Sequence, residues 1–402
     1  MGREMTSRTA IERQLEKIKS IADRKADELE RRQYEKYNPL FKLAVRFLKK
    51  EHVLMYGGSA LNDLMPEKLK FYPEQTMPDI DVFTKNAKGV AHRVVQAYKK
   101  KGYELASFRE ALHENTYKVF VDGLQVLDIS DVPEHVYKKL SRGSVKGSLG
   151  LKIVNPDFLR MSLHLMLSHP NDAHRWTKVY QRLVYFYTVF PPKKCPSHTK
   201  DEFKDKKGAP TELVEKFMAW LKDKPYVMFG GQQIQHMLFK TDSLAFSWPK
   251  GTYADILASE NVVQVAERVI KDLGDKELKV SSKFEGDMFV PEHVFVTYKN
   301  HKLFGIYHTD YCVSYVELHK VRLASFHTLC ELYMNFLFSS YPQHSKEHLT
   351  CIINMLGAIQ LKLIRKPSQK KLYQQFVLDC FGPQAGLITL RRQQIERIVN
   401  AK

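Results

Sequence analysis

Two aspartates, Asp79 and Asp81, stand one residue apart in the otherwise apolar run PDIDVF (78–83). Residues i and i+2 of a strand share a face, so this spacing presents two carboxylates together. Their mutual repulsion opposes that arrangement unless a cation sits between them. Hard oxygen ligands suit Mg²⁺, or Mn²⁺ in its place, with substrate phosphates completing the shell. A third acid, Asp128, follows the apolar residues of LQVLDIS (124–130). On a neighbouring strand it would complete a two-metal site. Such a site serves phosphoryl or nucleotidyl transfer, because it lowers the pKa of an attacking hydroxyl and stabilises the in-line transition state. Asp122 and Asp131 are rival third acids. Asp122 falls in a turn and Asp131 beyond the strand, so Asp128 is preferred. Upstream, VLMYGGSALNDLM (53–65) reads as a strand, a Gly57-Gly58-Ser59 turn and a helix start. Backbone N–H groups and a hydroxyl at such a turn suit phosphates.

These residues need elements to hold them. Ser7 to Tyr37 is charged, with Ile11, Leu15, Ile18, Ala22 and Leu29 at helical spacing. The pattern predicts a helix with one narrow apolar stripe, broken at Asn38-Pro39 and followed by a second helix. That stripe covers either the domain behind it or a second subunit. VLMY and DIDVF read as strands, and GVAHRVVQAYKKKGY as an amphipathic helix ended by Gly102. TYKVFV and LQVLDIS flank Asp122-Gly123, which signals a hairpin. NPDFLRMSLHLMLSHP and DAHRWTKVYQRLVYFYTVF predict two further helices. Residues 191–210 are rich in Pro and Lys and read as a linker.

Beyond that linker the pattern returns. YVMFGGQQIQHML (226–238) echoes VLMYGGSALNDLM, ADILASENVVQVAERVI echoes PDIDVFTKNAKGVAHRVV, and EHVFVTYKNHKLFGIY echoes TYKVFVDGLQVLDIS. Three matched segments in one order indicate an internal duplication. In the second copy Gln232 stands for the serine, and Asp255 followed by Leu257 stands for the acid pair. No acid falls at the place of Asp128. The predicted architecture is therefore α+β. It has an N-terminal helix (1–38), a catalytic domain with a helical extension (39–190), the linker (191–210) and a degenerate second copy (211–402). Both copies are mixed sheets flanked by helices.

The net charge is +18, which points to a polyanionic partner, nucleic acid first. It is spread through folded-looking sequence, as a groove or face would carry it. No apolar run reaches the ~18 residues of a membrane span, so no membrane partner is expected. Five scattered cysteines predict an intracellular chain without disulfides. His308, Cys312, His319, His327 and Cys330 lie near one another but form no paired zinc knuckle, and VELHKVRLASFHTLCELYMNFLF reads as a buried helix.

The ordered set GGSALNDLM, PDIDVF and LQVLDIS resembles the nucleotidyltransferase superfamily of DNA polymerase beta and the poly(A) polymerases. The stretch NPDFLRMSLHLMLSHPNDAHRWTKVYQRL is similar to the segment after the core in the poly(A) polymerase catalytic subunits of poxviruses, asfarviruses and mimivirus-like viruses. The resemblance covers residues 40 to 190 well and the remainder loosely. It implies template-independent addition of AMP, from ATP, to the 3′ end of single-stranded mRNA, in the host cytoplasm at viral factories or packaged in the virion. It makes Asp79 and Asp81 metal ligands, and Asp128 the ligand that helps activate the primer 3′-OH. Gly57, Gly58 and Ser59 would hold the triphosphate. Arg175, Lys178 and Arg182 fall on one helical face suited to triphosphate or RNA phosphates, or form a solvated basic face. A transferase of other base preference and a catalytically inert RNA-binding subunit are the alternatives. Such enzymes stay on RNA through a partner or self-association, and the charged helix favours a homodimer.

Overall fold

The computed structural model describes residues 2–73, 76, 79–195, 210–231, 233, 234, 237, 254–299, 301–339, 345–383 and 387–400. The chain divides into two compact units, Met1–Tyr137 with Val145–Ile153, and Lys138–Ser144 with Val154–Lys402. Residues 196–209 of the expected linker lie outside the described residues, as does Gln232.

The first unit opens with α1, one helix over Gly2–Leu48 with Pro39 inside it. The expected break at Asn38-Pro39 is therefore absent. A proline removes one intrahelical hydrogen bond. Burial of Leu40, Phe41, Ala44 and Leu48 anchors the turns that follow it. Ahead of the proline, Ile11, Leu15, Ile18, Ile21 and Leu29 are all more than half exposed. The stripe is thus uncovered in the monomer.

After α1 come β1 (Leu54–Tyr56), α2 (Gly57–Leu64), β2 (Ile80–Thr84), α3 (Ala87–Lys99), β3 (Ser107–Glu110), β4 (Thr116–Val121) and β5 (Leu124–Asp131). The helix α4 (Glu134–Ser141) follows, and the short strands β6 (Val145–Lys146) and β7 (Lys152–Ile153) complete a sheet of order β3-β4-β5-β2-β1-β7-β6. The α3 face of Val90, Ala91, Val94, Val95 and Tyr98 is buried. Asn86 Oδ1 caps α3 by accepting the Gly89 N–H, and Asp131 Oδ1 accepts the Ala87 N–H at 2.9 Å. Asp131 is thus a helix anchor, not a third acid. Asp122 and Gly123 both take positive φ in the predicted hairpin turn.

The second unit carries β8 (Val227–Gly230), β9 (Ala254–Ala258), β10 (Leu278–Val280), β11 (His293–Tyr298), β12 (His301–His308), β13 (Val313–Leu318), β14 (Val321–Ala324) and β15 (Cys380–Phe381). Their order is β10-β11-β12-β9-β8-β14-β13-β15. The two sheets share one pairing pattern. A hairpin, β4–β5 or β11–β12, pairs in parallel with β2 or β9, which pairs antiparallel with β1 or β8. Both hairpins carry a register shift at the same place, between Val119 and Phe120 and between Val296 and Thr297. The duplication is therefore one of fold as well as sequence.

The helices α5 (Pro156–Ser168) and α6 (Trp176–Val189) group with the second unit rather than with the first sheet. Phe158, Leu159, Met161, Leu163 and Leu167 are buried. His164 Nδ1 meets His327 Nδ1 at 2.9 Å, on the helix Phe326–Phe338. That helix is buried on nearly every side, so it takes apolar partners all round. The predicted long helix over 316–338 begins instead as the β13–β14 hairpin.

Two disulfides, Cys195–Cys351 and Cys312–Cys380, correct the disulfide-free expectation. Cys380 lies on β15, which pairs with β13 beside Cys312. Sequence separations of 156 and 68 residues gave no hint of either pair. Cys330 is buried and unbridged. Among the described residues no helix is long and apolar enough to cross a membrane.

Candidate active site

The acids of the first unit converge through strand register. β2 and β5 run parallel, with Asp81 directly beside Asp128. Asp81 also stands opposite Tyr56 on β1, and Asp128 opposite Lys118 on β4. One face of the sheet therefore gathers Tyr56, Asp81, Asp128 and Lys118 from four adjacent strands. Asp79 precedes β2 by one residue and joins them through Gln125. The Gln125 amide donates to Asp79 Oδ2 at 3.3 Å and to Asp128 Oδ1 at 2.9 Å. Lys118 Nζ donates to Asp128 Oδ2 at 2.8 Å and to Gln125 Oε1 at 3.0 Å.

The register shift in the hairpin makes this possible. A regular ladder from the pair Val121–Leu124 would set Lys118 opposite Leu127 and turn Asp128 to the other face. One extra residue in β5 restores Asp128 to the face of Gln125 and Lys118.

Electrostatics shows the cost of the cluster. Burial raises the Asp79 carboxyl above its ordinary range, the Asp128 charge raises it further, and Lys118 partly offsets both. The Tyr56 phenol is pushed well up by burial, then by the charges of Asp81 and Asp128. Its hydroxyl is held by Ser130 Oγ at 3.0 Å, which also meets Thr116 Oγ1 at 3.0 Å. The Tyr56 ring stacks on Phe83 with centroids 3.7 Å apart.

The glycine turn sits against this cluster. Gly57 has φ +74°, and a Cβ there would overlap the Asp81 carboxylate. A left-handed backbone and a close approach thus both require glycine. Gly57 and Gly58 open α2, whose first N–H groups have no partner within the helix. The Ser59 hydroxyl donates to the Asp79 carbonyl and is nearly buried. In this arrangement it positions Asp79. Asn62 Oδ1 accepts the N–H groups of Phe71 and Tyr72 and holds the chain that follows α2.

An all-oxygen donor set on one face fits a hard divalent cation. Among the described residues, no group of three or more His, Cys, Asp or Glu side chains is drawn into a metal-ligand arrangement. Here Lys118 and Gln125 neutralise and bridge the acids. The earlier Cys–His cluster does not assemble: Cys312 is bridged to Cys380 and His327 is paired with His164. Arg175, Lys178 and Arg182 belong to the second unit, at the end of a 3-10 turn and on α6. Arg175 lies 3.9 Å from Asp172. Lys118, Gln125, Tyr56 and Asn62 were missed by sequence reasoning.

In the second unit, register corrects the earlier alignment. Phe229 opposes Asp255 as Tyr56 opposes Asp81, so Asp255 is the counterpart of Asp81, not of Asp79. Counting from the matched hairpins, Gly305 stands for Asp128, Phe295 for Lys118 and Lys302 for Gln125. Asp255 Oδ1 accepts the Gly305 N–H at 2.6 Å and lies 3.2 Å from Lys302 Nζ. The Lys302 ammonium also sits 4.5 Å from the Phe295 ring centre. Asp255 is therefore held by the Gly305 N–H and the Lys302 ammonium. Asp255→Asn is expected to lower unfolding stability by about 1–3 kcal/mol through loss of that ion pair. Urea unfolding measures it, and unchanged stability refutes the structural assignment.

Residues 43–173 match the family model described as "Poly(A) polymerase catalytic subunit". A "Putative poly(A) polymerase catalytic subunit" of African swine fever virus, isolate Tick/Malawi/Lil 20-1/1983, is 29% identical over 166 residues, covering 39% of this chain and 34% of that protein. The similarly described protein of Acanthamoeba polyphaga mimivirus is 25% identical over 187 residues, covering 45% and 31%. The chain thus spans about a third of the length of the curated relatives it matches. The crystal structure of the Megavirus polyadenylate synthase superposes with a TM-score of 0.73 at 17% identity, covering 92% of this chain and 78% of that one. The fold is therefore shared almost throughout, and the family resemblance drawn from the sequence is borne out.

Proposed function

We propose that this chain, which through residues 43–173 belongs with the poly(A) polymerase catalytic subunits, is a template-independent polynucleotide adenylyltransferase. The carrying observation is the convergence of Asp79, Asp81 and Asp128 on one sheet face beside the Gly57 turn. Its substrates on this reading are ATP and the 3′ end of single-stranded RNA. Its place is the host cytoplasm, at the viral factory.

Asp79, Asp81 and Asp128 would hold Mg²⁺ or Mn²⁺, which supplies charge neutralisation at the reacting phosphate and lowers the pKa of the primer 3′-hydroxyl. The rest falls to the chain. The Gly57–Ser59 N–H groups at the start of α2 face phosphate oxygens. The Ser59 hydroxyl and the Gln125 amide keep Asp79 and Asp128 in register. Lys118 holds Asp128 between turnovers. The net charge of +18 favours a phosphate backbone as partner. The test is incubation with labelled ATP, UTP, CTP or GTP, an RNA primer and Mg²⁺. Incorporation of AMP is expected. Preference for another base would make it a different terminal transferase, and no incorporation would make it an RNA-binding subunit.

The uncovered stripe of α1 supports a homodimer in which two such helices pack together. Removal of residues 1–37 is expected to convert a dimer to a monomer in light scattering and to shorten tails more than it slows the first addition. A full-length monomer at micromolar concentration that makes long tails unaided contradicts this.

A further inference from the structure

The ion pair inside the acid cluster is a contact that an incoming cation has to break. β4 alternates, with Val119 and Val121 buried on one face and Lys118 on the other, opposite Asp128. Lys118 Nζ donates to Asp128 Oδ2 at 2.8 Å and to Gln125 Oε1 at 3.0 Å. The Gln125 amide donates to the other oxygen, Asp128 Oδ1, at 2.9 Å. Both oxygens of Asp128 are therefore engaged by side chains of the same sheet. A carboxylate that ligates a metal must offer at least one of its oxygens.

The two contacts differ in how readily they open. Gln125 is tied to two acids, because its amide also donates to Asp79 Oδ2 at 3.3 Å. The Lys118 side chain is 30% exposed, against 15% for Asp128. Lysine carries a point charge on a flexible four-carbon stem. The ammonium can thus leave Oδ2 for water without any movement of β4. Its charge also reaches Asp79, where it offsets part of the rise imposed by burial and by Asp128. One mobile cation therefore neutralises two of the three acids from within the chain.

The second unit places its ammonium differently. Phe295 stands at the place of Lys118, and the charge comes from Lys302 at the place of Gln125. Lys302 lies 3.2 Å from Asp255 and 4.5 Å from the Phe295 ring centre. A ring as well as a carboxylate holds that cation, and desolvation strengthens such a contact. Lys118 is held by the site's own acid and amide, so the pair that fixes it is the pair an ion would claim.

We propose that Lys118 is a tethered counter-ion that closes the acid cluster at Asp128, yields that carboxylate when a divalent cation enters, and thereby sets the affinity of the cluster for the ion. This rests on the reading of the three acids as a metal site, and it adds the residue that regulates loading of that site.

The test titrates the full chain with Mn²⁺ and reads the free ion by its EPR signal. Lys118→Met is expected to bind Mn²⁺ about tenfold more tightly than wild type, the scale of one hydrogen bond to a charged group. Lys118→Arg keeps the charge and should bind no more tightly than wild type. Lys88, exposed on α3, is the control for net charge, and Lys88→Met should leave the affinity unchanged. A second arm uses the unaltered chain. Acetylation of Lys118 by acetic anhydride, read by mass spectrometry, should rise relative to that of Lys88 when Mg²⁺ replaces Na⁺ at matched ionic strength. Wild-type binding of Mn²⁺ with no tightening in Lys118→Met overturns the proposal and leaves the metal site standing. Equal tightening in Lys88→Met also overturns it, since net charge alone would then suffice. No Mn²⁺ bound by any of these chains removes the metal site and the proposal together. Nucleotide incorporation is measured alongside, and a chain that adds none while its Mn²⁺ affinity depends on Lys118 keeps the proposal and loses the activity. Thermal melting of each variant identifies a folding defect, in which case the acetylation arm decides the matter.

Discussion

Asp79→Ala and Asp81→Ala are each expected to abolish nucleotide addition, with a loss of about 10³-fold or more, and to leave the protein folded. The magnitude follows from several kcal/mol of charge stabilisation at the reacting phosphate, each 1.4 kcal/mol being about tenfold in rate. The stability result follows from the electrostatics of the cluster. Burial and the Asp128 charge hold the Asp79 carboxyl above its ordinary range. A carboxyl raised on folding contributes stability below its unfolded pKa and loses it as pH rises through the folded value. Ionisation of Asp79 as pH rises therefore opposes folding. Alanine at 79 removes that opposition, so the melting temperature in EDTA should match or exceed wild type. Adding Mg²⁺ should raise the wild-type melting temperature by mass action and should not raise that of either variant. Near wild-type activity in either variant with Mg²⁺ or Mn²⁺ would show that the site is elsewhere.

Gly57→Ala should be nearly as damaging, though no charge is touched. Two penalties combine at this residue. A side chain at φ +74° costs about 1–2 kcal/mol from local sterics, and its Cβ overlaps the Asp81 carboxylate. The carboxylate must move for the chain to close the turn. A displacement near 1 Å at a reacting centre is worth about 10² in rate. We expect activity to fall at least that far and unfolding stability to fall by about 2–4 kcal/mol. The cause is separable by a double-mutant cycle. Asp81→Ala removes the overlapping atoms, so the pair Gly57→Ala, Asp81→Ala should be more stable than the sum of the single changes indicates. Strict additivity in urea unfolding would mean that backbone strain alone accounts for the loss.

Much of this site was legible before the structure. Residue types alone singled out Asp79, Asp81 and the Gly-Gly-Ser turn, because strand periodicity is a local property of two or three residues. Asp128 was legible as an acid at a strand end, but its orientation was not. Counting pairs back from Asp122-Gly123 puts Asp128 on the wrong face, and only the register shift corrects it. The same shift hid Lys118 and Gln125, whose partners depend on it. The sequence echo matches Asp255 to Asp79 because two short segments look alike, whereas its cross-strand pairing with Phe229 makes it the counterpart of Asp81. Pro39 was read as a helix end because its local cost is certain, while the compensating burial of Leu40, Ala44 and Leu48 is tertiary. The disulfides and the grouping of α5 with the second unit are also contacts between distant stretches. No local pattern encodes them.

Lys302 marks the difference between the two copies. In the first copy its place is held by Gln125, an uncharged bridge between Asp79 and Asp128, and the ammonium comes instead from Lys118 on β4. In the second copy a tethered ammonium sits against the surviving acid. A glycine occupies the place of Asp128, and its N–H donates to Asp255. With both contacts of its acid supplied from within the chain, the second sheet keeps that carboxylate buried on internal partners alone.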